Sequence, residues 1–389
     1  MEKKNINSEE LLQAYVRLNL TKGVGCVIAT RLIREYPDVF SIFSRSVDEL
    51  KQIKGIGNNA ALEIKNDKYL NLAKKEIELA RKNNIKILHR DMPEFPLNFA
   101  LQSIVAEDAP IILYVSGDVT EADKLSIGIV GMRNPSYHGI ESTKFFAGQL
   151  AESGFTVVSG FARGVDIAAH EAAINAGGRT LAFIGSGLLD VYPPENRSFI
   201  KQIVNSGALI SEFPLFTPPE VGNFPRRNRL IAAMSLGVLV IEAPEKSGSL
   251  ITARLASEYG REVFALAGRY DDPNKIGCNR LIQDGAKMVL STEDILNELP
   301  AEWVDTGKTL KAAVKKREKD LFGDDKAENS GSLDETQKKL LSILSTEPMH
   351  IDKISSELKL KSPETLSSLV MLEINGLVKQ LAGKFFVKV

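Results

Sequence analysis

The chain has 389 residues, enough for two to four domains at roughly 100–200 residues each, and its 43% hydrophobic and 25% charged residues are too apolar a mixture for wholesale disorder. The 49 Lys and Arg nearly cancel the 50 Asp and Glu, so any polyanion site is a local patch and not a chain-wide charge. Two distant cysteines, Cys26 and Cys278, exclude a disulfide-stapled scaffold or Cys-rich zinc module and fit a reducing cytoplasm; the polar start MEKKNINSEELLQAY is no signal peptide, and no apolar run approaches the roughly 18 residues of a membrane span.

Residues 1–80 read as short helices joined by Gly-containing turns. Leu20-Thr21-Lys22-Gly23-Val24-Gly25 and, thirty-two residues on, Ile53-Lys54-Gly55-Ile56-Gly57 each precede a helical run. That repeat has the form of a helix-hairpin-helix, in which glycines allow a tight turn and helix-start N–H groups meet phosphate. Residues 81–118 form a connecting stretch with Pro93, Pro96 and Pro110 that ends in the apolar run Ile111–Val115. From 119 to 300, apolar strands at 126–130, 155–159, 180–184, 208–212, 237–242, 262–267 and 287–290 alternate with helical runs at 142–153, 165–176, 195–205, 226–235 and 249–259. This alternation specifies an α/β fold, a doubly wound, mostly parallel, Rossmann-like sheet covered on both faces. Residues 301–332 are charged and poor in aliphatics, the composition of a linker. Residues 333–389 regain helical periodicity and end in a hairpin, the form of a winged helix.

In doubly wound sheets ligands bind beyond the carboxyl ends of the strands, and small and cationic residues collect there. Gly131 and Arg133 follow the first strand; Gly160, Phe161, Ala162, Arg163 and Gly164 follow the second; Gly185-Ser186-Gly187 follow the third; Gly248, Ser249 and Thr252 open a later helix. Glycines let the backbone approach a ligand, and helix starts aim N–H groups at an anion. Residues 120–300 hold eleven Arg and six Lys, against seven Arg and twenty-five Lys elsewhere. Arginine's planar fork suits phosphate, and Arg226, Arg227 and Arg229 form its densest stripe, with Glu212 and Glu242 as candidate structural partners. Of the aromatics near the loops (Phe161, Tyr192, Phe199, Phe224), Phe161 and Phe199 are candidates for base stacking.

No Gly-x-x-x-x-Gly-Lys-Ser/Thr loop occurs, and no Gly-x-Gly-x-x-Gly follows the first strand, which disfavours a P-loop NTPase and a dinucleotide site. The four histidines, His89, His138, His170 and His350, lack metal-ligand spacing. No catalytic group, metal or cofactor is expected, and His170, four residues after Asp166, reads as a packing or capping residue. A nucleotide-processing enzyme of the phosphoribohydrolase type is the rival reading. Its Pro-Gly-Gly-x-Gly-Thr-x-x-Glu motif is matched only by Ser247-Gly248-Ser249-Leu250-Ile251-Thr252, without the Glu. A third reading is a hub whose middle domain binds a nucleotide effector.

The stretches IGIVGMRNPSYHG, VVSGFARGVDIAAHEAAINAGGRTLAFIGSGLLDVYPPEN, ALISEFP, FPRRNRLIAAMS, VIEAPEKSGSLITARLASEYGREVFALAG and GCNRLIQDGA closely resemble the DNA-processing protein A (DprA/Smf) family over residues 85–298. The resemblance implies an extended Rossmann domain that binds single-stranded DNA, a homodimer, and delivery of the strand to the recombinase RecA in natural transformation and recombination. Carried over by position, it makes Arg133 a DNA-phosphate contact, places Gly160, Ala162, Arg163 and Gly164 in a second phosphate loop, and matches Asn196 to the Asn of a Tyr-Pro-x-x-Asn segment. Three departures stand out: Met132 where Ser is usual, Ala267 where Pro is usual, and Pro194 where many members have a DNA-holding Lys, with Arg197 as the candidate substitute.

The C-terminal module holds eight Lys against seven acids, and its third helix has no Lys or Arg between Pro363 and Val378. That leaves little attraction for phosphate and favours contact with protein over recognition of a duplex. The organisation expected is therefore a helix-hairpin-helix or SAM-like domain (1–80), a Rossmann-like DNA-binding domain (81–300), a linker (301–332) and a winged helix (333–389).

Overall fold

Six helices open the computed structural model: α1 (Ser8–Leu20), α2 (Cys26–Glu35), α3 (Val39–Ser44), α4 (Val47–Lys51), α5 (Asn58–Lys65) and α6 (Lys68–Lys82). The structure describes residues 8–96, 108–300 and, within 335–388, all but 346, 359, 361, 375, 376 and 382. The internal repeat is visible as two matching turns. Gly23 (φ +83°) and Gly55 (φ +98°) take the left-handed conformation open to glycine, and Gly25 and Gly57 then cap α2 and α5 at the same φ of −86°. On α6, Tyr69, Ala73, Ile77 and Ala80 recur at helical spacing and are buried. Ala73, Ile77 and Ala80 share a core with α1 and with strand residues Ile112 and Tyr114 of the sheet.

Nine strands form that sheet: β1 (Lys86–His89), β2 (Ile112–Gly117), β3 (Ser126–Val130), β4 (Thr156–Ser159), β5 (Thr180–Phe183), β6 (Gly207–Ser211), β7 (Gly237–Val240), β8 (Glu262–Leu266) and β9 (Lys287–Val289). Their order is β1-β2-β6-β5-β4-β3-β7-β8-β9. All pairings from β6 to β9 are parallel, whereas β1–β2 and β2–β6 are antiparallel. The seven strands expected between 119 and 300 are present. The stretch expected to be a connector adds β1 and β2, because the run Ile111–Val115 is apolar on both of its faces and buries completely at the edge of β6.

Helices α7 (Tyr137–Glu152), α8 (Val165–Asn175) and α13 (Thr292–Leu296) cover one face of the sheet, where Ile127, Ile129, Val157 and Leu239 point. Helices α10 (Asn223–Met234), α11 (Gly248–Glu258) and α12 (Ile276–Gln283) cover the other, where Val130, Val158, Val238 and Val240 point. This two-residue alternation between faces is the pleat itself. Helix α9 (Ile200–Ser206), after a 3-10 turn at Pro194–Phe199, packs Ile203 into the core shared with the N-terminal helices. In the parallel part of the sheet the chain starts at β3, builds β4, β5 and β6 outward on one side, then returns to lay β7 on the other. The sheet therefore reverses between β3 and β7, paired from Ile127 opposite Gly237 to Val130 opposite Val240. Connections leave these two strand ends in opposite directions and open a crevice.

The chain divides into two compact units, Met1–Glu318 and Lys319–Val389. The second contains α14 (Glu335–Ile343), β10 (Met349–His350), α15 (Ile351–Leu358), α16 (Ser362–Ile374), β11 (Val378–Leu381) and β12 (Phe385–Lys388). Its three strands pair in the order β10-β12-β11 around a core of Leu340, Ile354, Leu369, Leu372 and Phe386, a winged helix. The stretch 301–332, expected as a linker, lies outside the described residues.

Candidate nucleic-acid interface

At the reversal point between β3 and β7 lies a groove of about 470 Å³. Gly131–Asn134 from the β3 end, Ala162 from the β4 end, the first turn of α10, and Lys246–Thr252 at the start of α11 wall it. Of the four glycine loops, three reach this region directly. The fourth, Gly185-Ser186-Gly187, sends only Gly185 to a narrower recess beside it, while Gly187 is pressed against the Leu215 backbone.

The turn after β3 is fixed from below. Glu242, 1% exposed, accepts hydrogen bonds from the Ser136 amide (2.8 Å) and hydroxyl (2.6 Å), and Ser136 in turn caps α7 through the Gly139 amide. Glu242 therefore positions the turn and is not a partner of the arginine stripe. The turn after β4 is fixed by glycine geometry. Gly164 has φ +74°, and a Cβ there would run into the Met132 and Arg133 carbonyls. The Val165 amide donates to the Met132 carbonyl (3.1 Å), binding the two loops together. The loop at Met132 is thus held by its backbone, which a Met serves as well as a Ser.

Arg133 is exposed on this platform, its guanidinium over the Phe224 ring at 5.5 Å. No ion pair to it is found among the described residues. Arg227 lies deeper, 5% exposed, donating to the Phe183 carbonyl (2.6 Å) and to Asn228 (3.1 Å). Burial lowers its pKa from the usual arginine value, opposed by the charge of Asp166. Asp166 accepts from the Ala162 amide (3.3 Å), and burial raises its carboxyl pKa against the pull of Arg227. A Cβ on Gly160 would strike both the Arg227 guanidinium and the Asp166 carboxylate, which explains the small residue there. Exposed Lys246 joins the wall, and α11 begins on it with Gly248 exposed, Ser249 and Thr252 buried, and Ser247 capping the Ser249 amide (3.3 Å). The first-turn N–H groups of an eleven-residue helix thus start at the groove. Asp166, 7% exposed, is the acidic residue on this wall.

Other expected site residues do different work. Arg229 is 5% exposed and pairs with buried Glu212 and with Asp108, on the side of α10 away from the groove. It is a structural ion pair and not a phosphate contact. Arg226 stacks over Phe213 at 4.9 Å and faces a separate pocket. Helical geometry carries the reason: positions 227 and 229 are about 200° apart around the axis, so one groove cannot take both. Asn196 is 5% exposed and donates to the Phe161 carbonyl (3.0 Å), so it holds the β4 loop from behind. Arg197 donates to the Val191 carbonyl (3.0 Å) and stands 3.9 Å from Asp190, outside the groove wall. Arg163 is half-exposed and paired with Glu195.

Both base-stacking candidates are corrected. The Phe161 ring is 1% exposed and belongs to the core, and Phe199 is half-buried against that same core. The aromatic rings at the recess beside the groove are Tyr192, 38% exposed, and Phe224, their centroids 6.1 Å apart. His170 packs as expected, buried, with Nε2 on the Gly160 carbonyl (2.6 Å) and Nδ1 on Thr180 Oγ1 (2.5 Å).

Comparison with known proteins assigns these loops to one lineage. The family described as DNA recombination-mediator protein A matches residues 86–300. The chain belongs to that family. A DprA winged helix domain matches residues 324–384. Among curated relatives of this mediator family, Protein Smf of Synechocystis is 34% identical over 97% of this chain and 98% of its own length. The DNA processing protein DprA of Bacillus subtilis is 42% identical over 57% of this chain and 73% of its own length. The X-ray structure of DNA processing protein A from Streptococcus pneumoniae superposes with a TM-score of 0.63 at 29% identity, over 76% of this chain and 99% of that one. The groove lies wholly within the region that the mediator family matches. Among the described residues, no helix is long and apolar enough to cross a membrane.

Proposed function

We propose that this recombination-mediator chain holds single-stranded DNA in the groove between β3 and β7 and hands it to the RecA recombinase. It works in the cytoplasm as a homodimer, by binding and without catalysis. The observation that carries this reading is Arg133: an exposed guanidinium, stacked on Phe224, at the mouth of a groove walled by loop glycines and a helix start. A phosphate there gains a bidentate partner and backbone amides together. Tyr192 and Phe224 beside it offer ring faces to bases, which a single strand exposes and a duplex hides. Arg163 joins once its exposed pairing with Glu195 opens, since such surface pairs are worth only about 0–1 kcal/mol. In the winged helix, the outward side chains Leu366, Val370 and Met371 of α16 are apolar, which supports contact with protein there over contact with phosphate.

The test is Arg133→Ala, followed by fluorescence anisotropy with an oligo(dT). Affinity falls more than about tenfold, the value of a charged hydrogen bond at roughly 1.5–3 kcal/mol, while the thermal melt stays in place. An unchanged affinity in a folded variant removes the groove from the mechanism.

A further inference from the structure

Beyond the end of β6, the turn at 214–217 carries two apolar residues at its tip and sends them in opposite directions. Leu215 is fully buried, whereas the Phe216 ring is 65% exposed. Both neighbours of Phe216 are held by amide and by carbonyl. The Leu215 amide donates to Glu76 of α6 (2.7 Å), and the Leu215 carbonyl accepts from the Leu189 amide (2.9 Å). The Thr217 amide donates to the Pro214 carbonyl (2.9 Å), and the Thr217 carbonyl accepts from the Gly187 amide (2.8 Å). Gly187 packs so closely that a Cβ on it would strike the Leu215 carbonyl. The ring therefore stands out in solvent on a turn that is fixed on both sides.

A single exposed apolar side chain is ordinary on a protein surface. Here there is a series. The loop that grips this turn, 185–193, walls the recess at both of its ends, through Gly185 and through Tyr192 and Pro193. Tyr192, 38% exposed, and Val221, 87% exposed on the groove wall, continue the series along the same rim. In the sheet order β6-β5-β4-β3, Arg133 follows β3, Gly185 of the recess follows β5, and Phe216 follows β6. Strands about 4.8 Å apart make that roughly 14 Å across the sheet from Arg133 to Phe216, the reach of a few nucleotides. We propose that Phe216 is a stacking platform for an unpaired base of the strand, beyond the bases at the recess. A ring held still by its turn gives up little freedom when a base settles on it, and an aromatic face accepts any of the four bases. The ring carries no charge, so it adds grip on bases and none on phosphates. Delivery of the base rests on the groove holding single-stranded DNA; the stack itself does not.

The test uses the full chain with an oligo(dT) and an abasic oligonucleotide of the same length, which offers the phosphates without the bases. Affinities are read by fluorescence anisotropy. Phe216→Ala weakens oligo(dT) binding at least about fivefold, the lower value of one base–aromatic stack, and leaves the abasic strand unchanged. Phe216→Trp restores oligo(dT) binding, and Phe216→Leu does not. The thermal melt stays in place in all three variants, since the ring is exposed. An unchanged oligo(dT) affinity in Phe216→Ala, or an equal loss on both strands, overturns the proposal. Arg133→Ala reports on the groove separately, by weakening both strands. If it weakens neither while Phe216→Ala still discriminates between them, the groove reading falls and the stacking site stands. If Arg133→Ala weakens both and Phe216→Ala weakens neither, the groove stands and the stacking site falls.

Discussion

Arg133 and Arg229 carry the same guanidinium into opposite surroundings. Arg133 is exposed over an aromatic ring, and removing it leaves no buried charge behind. Arg229 is sealed against Glu212, so Arg229→Ala strands a carboxylate in the interior and costs about 3–5 kcal/mol of stability. Urea denaturation separates the two: Arg133→Ala stays within about 0.5 kcal/mol of the parent, and a reversed order contradicts the assignment. Glu195 competes with phosphate for Arg163, so Glu195→Ala strengthens oligonucleotide binding by about two- to fivefold, the size of one surface ion pair. Weaker or unchanged binding would show that Arg163 does not serve the strand. His170 adds a pH dependence. Burial holds its pKa at about 4, below the ordinary 6.5. On acidification the unfolded chain takes up this proton first. The stability His170 confers is therefore complete above pH 6.5 and declines as pH falls through 6.5 towards 4, by about 3 kcal/mol at the lower end. The stability advantage over His170→Gln shrinks across that window; a pH-independent difference contradicts it.

The turn from β4 to α8 works as one element, built on two glycines for different reasons. Gly160 leaves room for Arg227, and Gly164 supplies a φ of +74° and a close approach to the β3 loop. Gly164→Ala therefore costs about 1–3 kcal/mol in strain and displaces Arg133, lowering oligonucleotide affinity as well as stability. A variant that loses neither would show that the loop accommodates the methyl group elsewhere. Elements of this kind were only partly legible in the sequence. Strands β3 to β7 stood out because burial on both faces makes them continuous apolar runs, and β8 and β9, partly exposed at the sheet edge, followed as shorter runs. The start of α7 was read five residues late, since Tyr137–Ile140 lacks apolar periodicity and only Ser136, as its cap, marks the boundary. Strand β1 has only four residues, too short for a periodic pattern despite the turn residues Asn83-Asn84 before it and Asp91 and Pro93 after it, and its partner β2 was seen as an apolar run without a strand to pair with. Phe161 is a base-stacking candidate by its place in a glycine loop, but that loop folds its ring inward, into the core. Tyr192 and Phe224 sit at the recess because the Pro193 turn and the start of α10, distant in sequence, converge there. The separation of Arg227 from Arg229 was readable from helical period alone.

Across the whole molecule the net charge of −1 rules out a general attraction to DNA, so binding depends on a few cations gathered at the sheet reversal. Arg133, Arg163, Arg227 and Lys246 are the groove and recess cations. That number sets a limit which nucleotide-sized pockets do not reach. The most direct measurement is the salt dependence of oligo(dT) affinity as a function of oligonucleotide length. Phosphate contacts from the three exposed cations, Arg133, Arg163 and Lys246, predict a slope of log affinity against log salt that steepens with length and levels at about −2, at roughly 0.7 per phosphate on a single strand. A shallow slope that is the same for a mononucleotide and a long strand would contradict the groove.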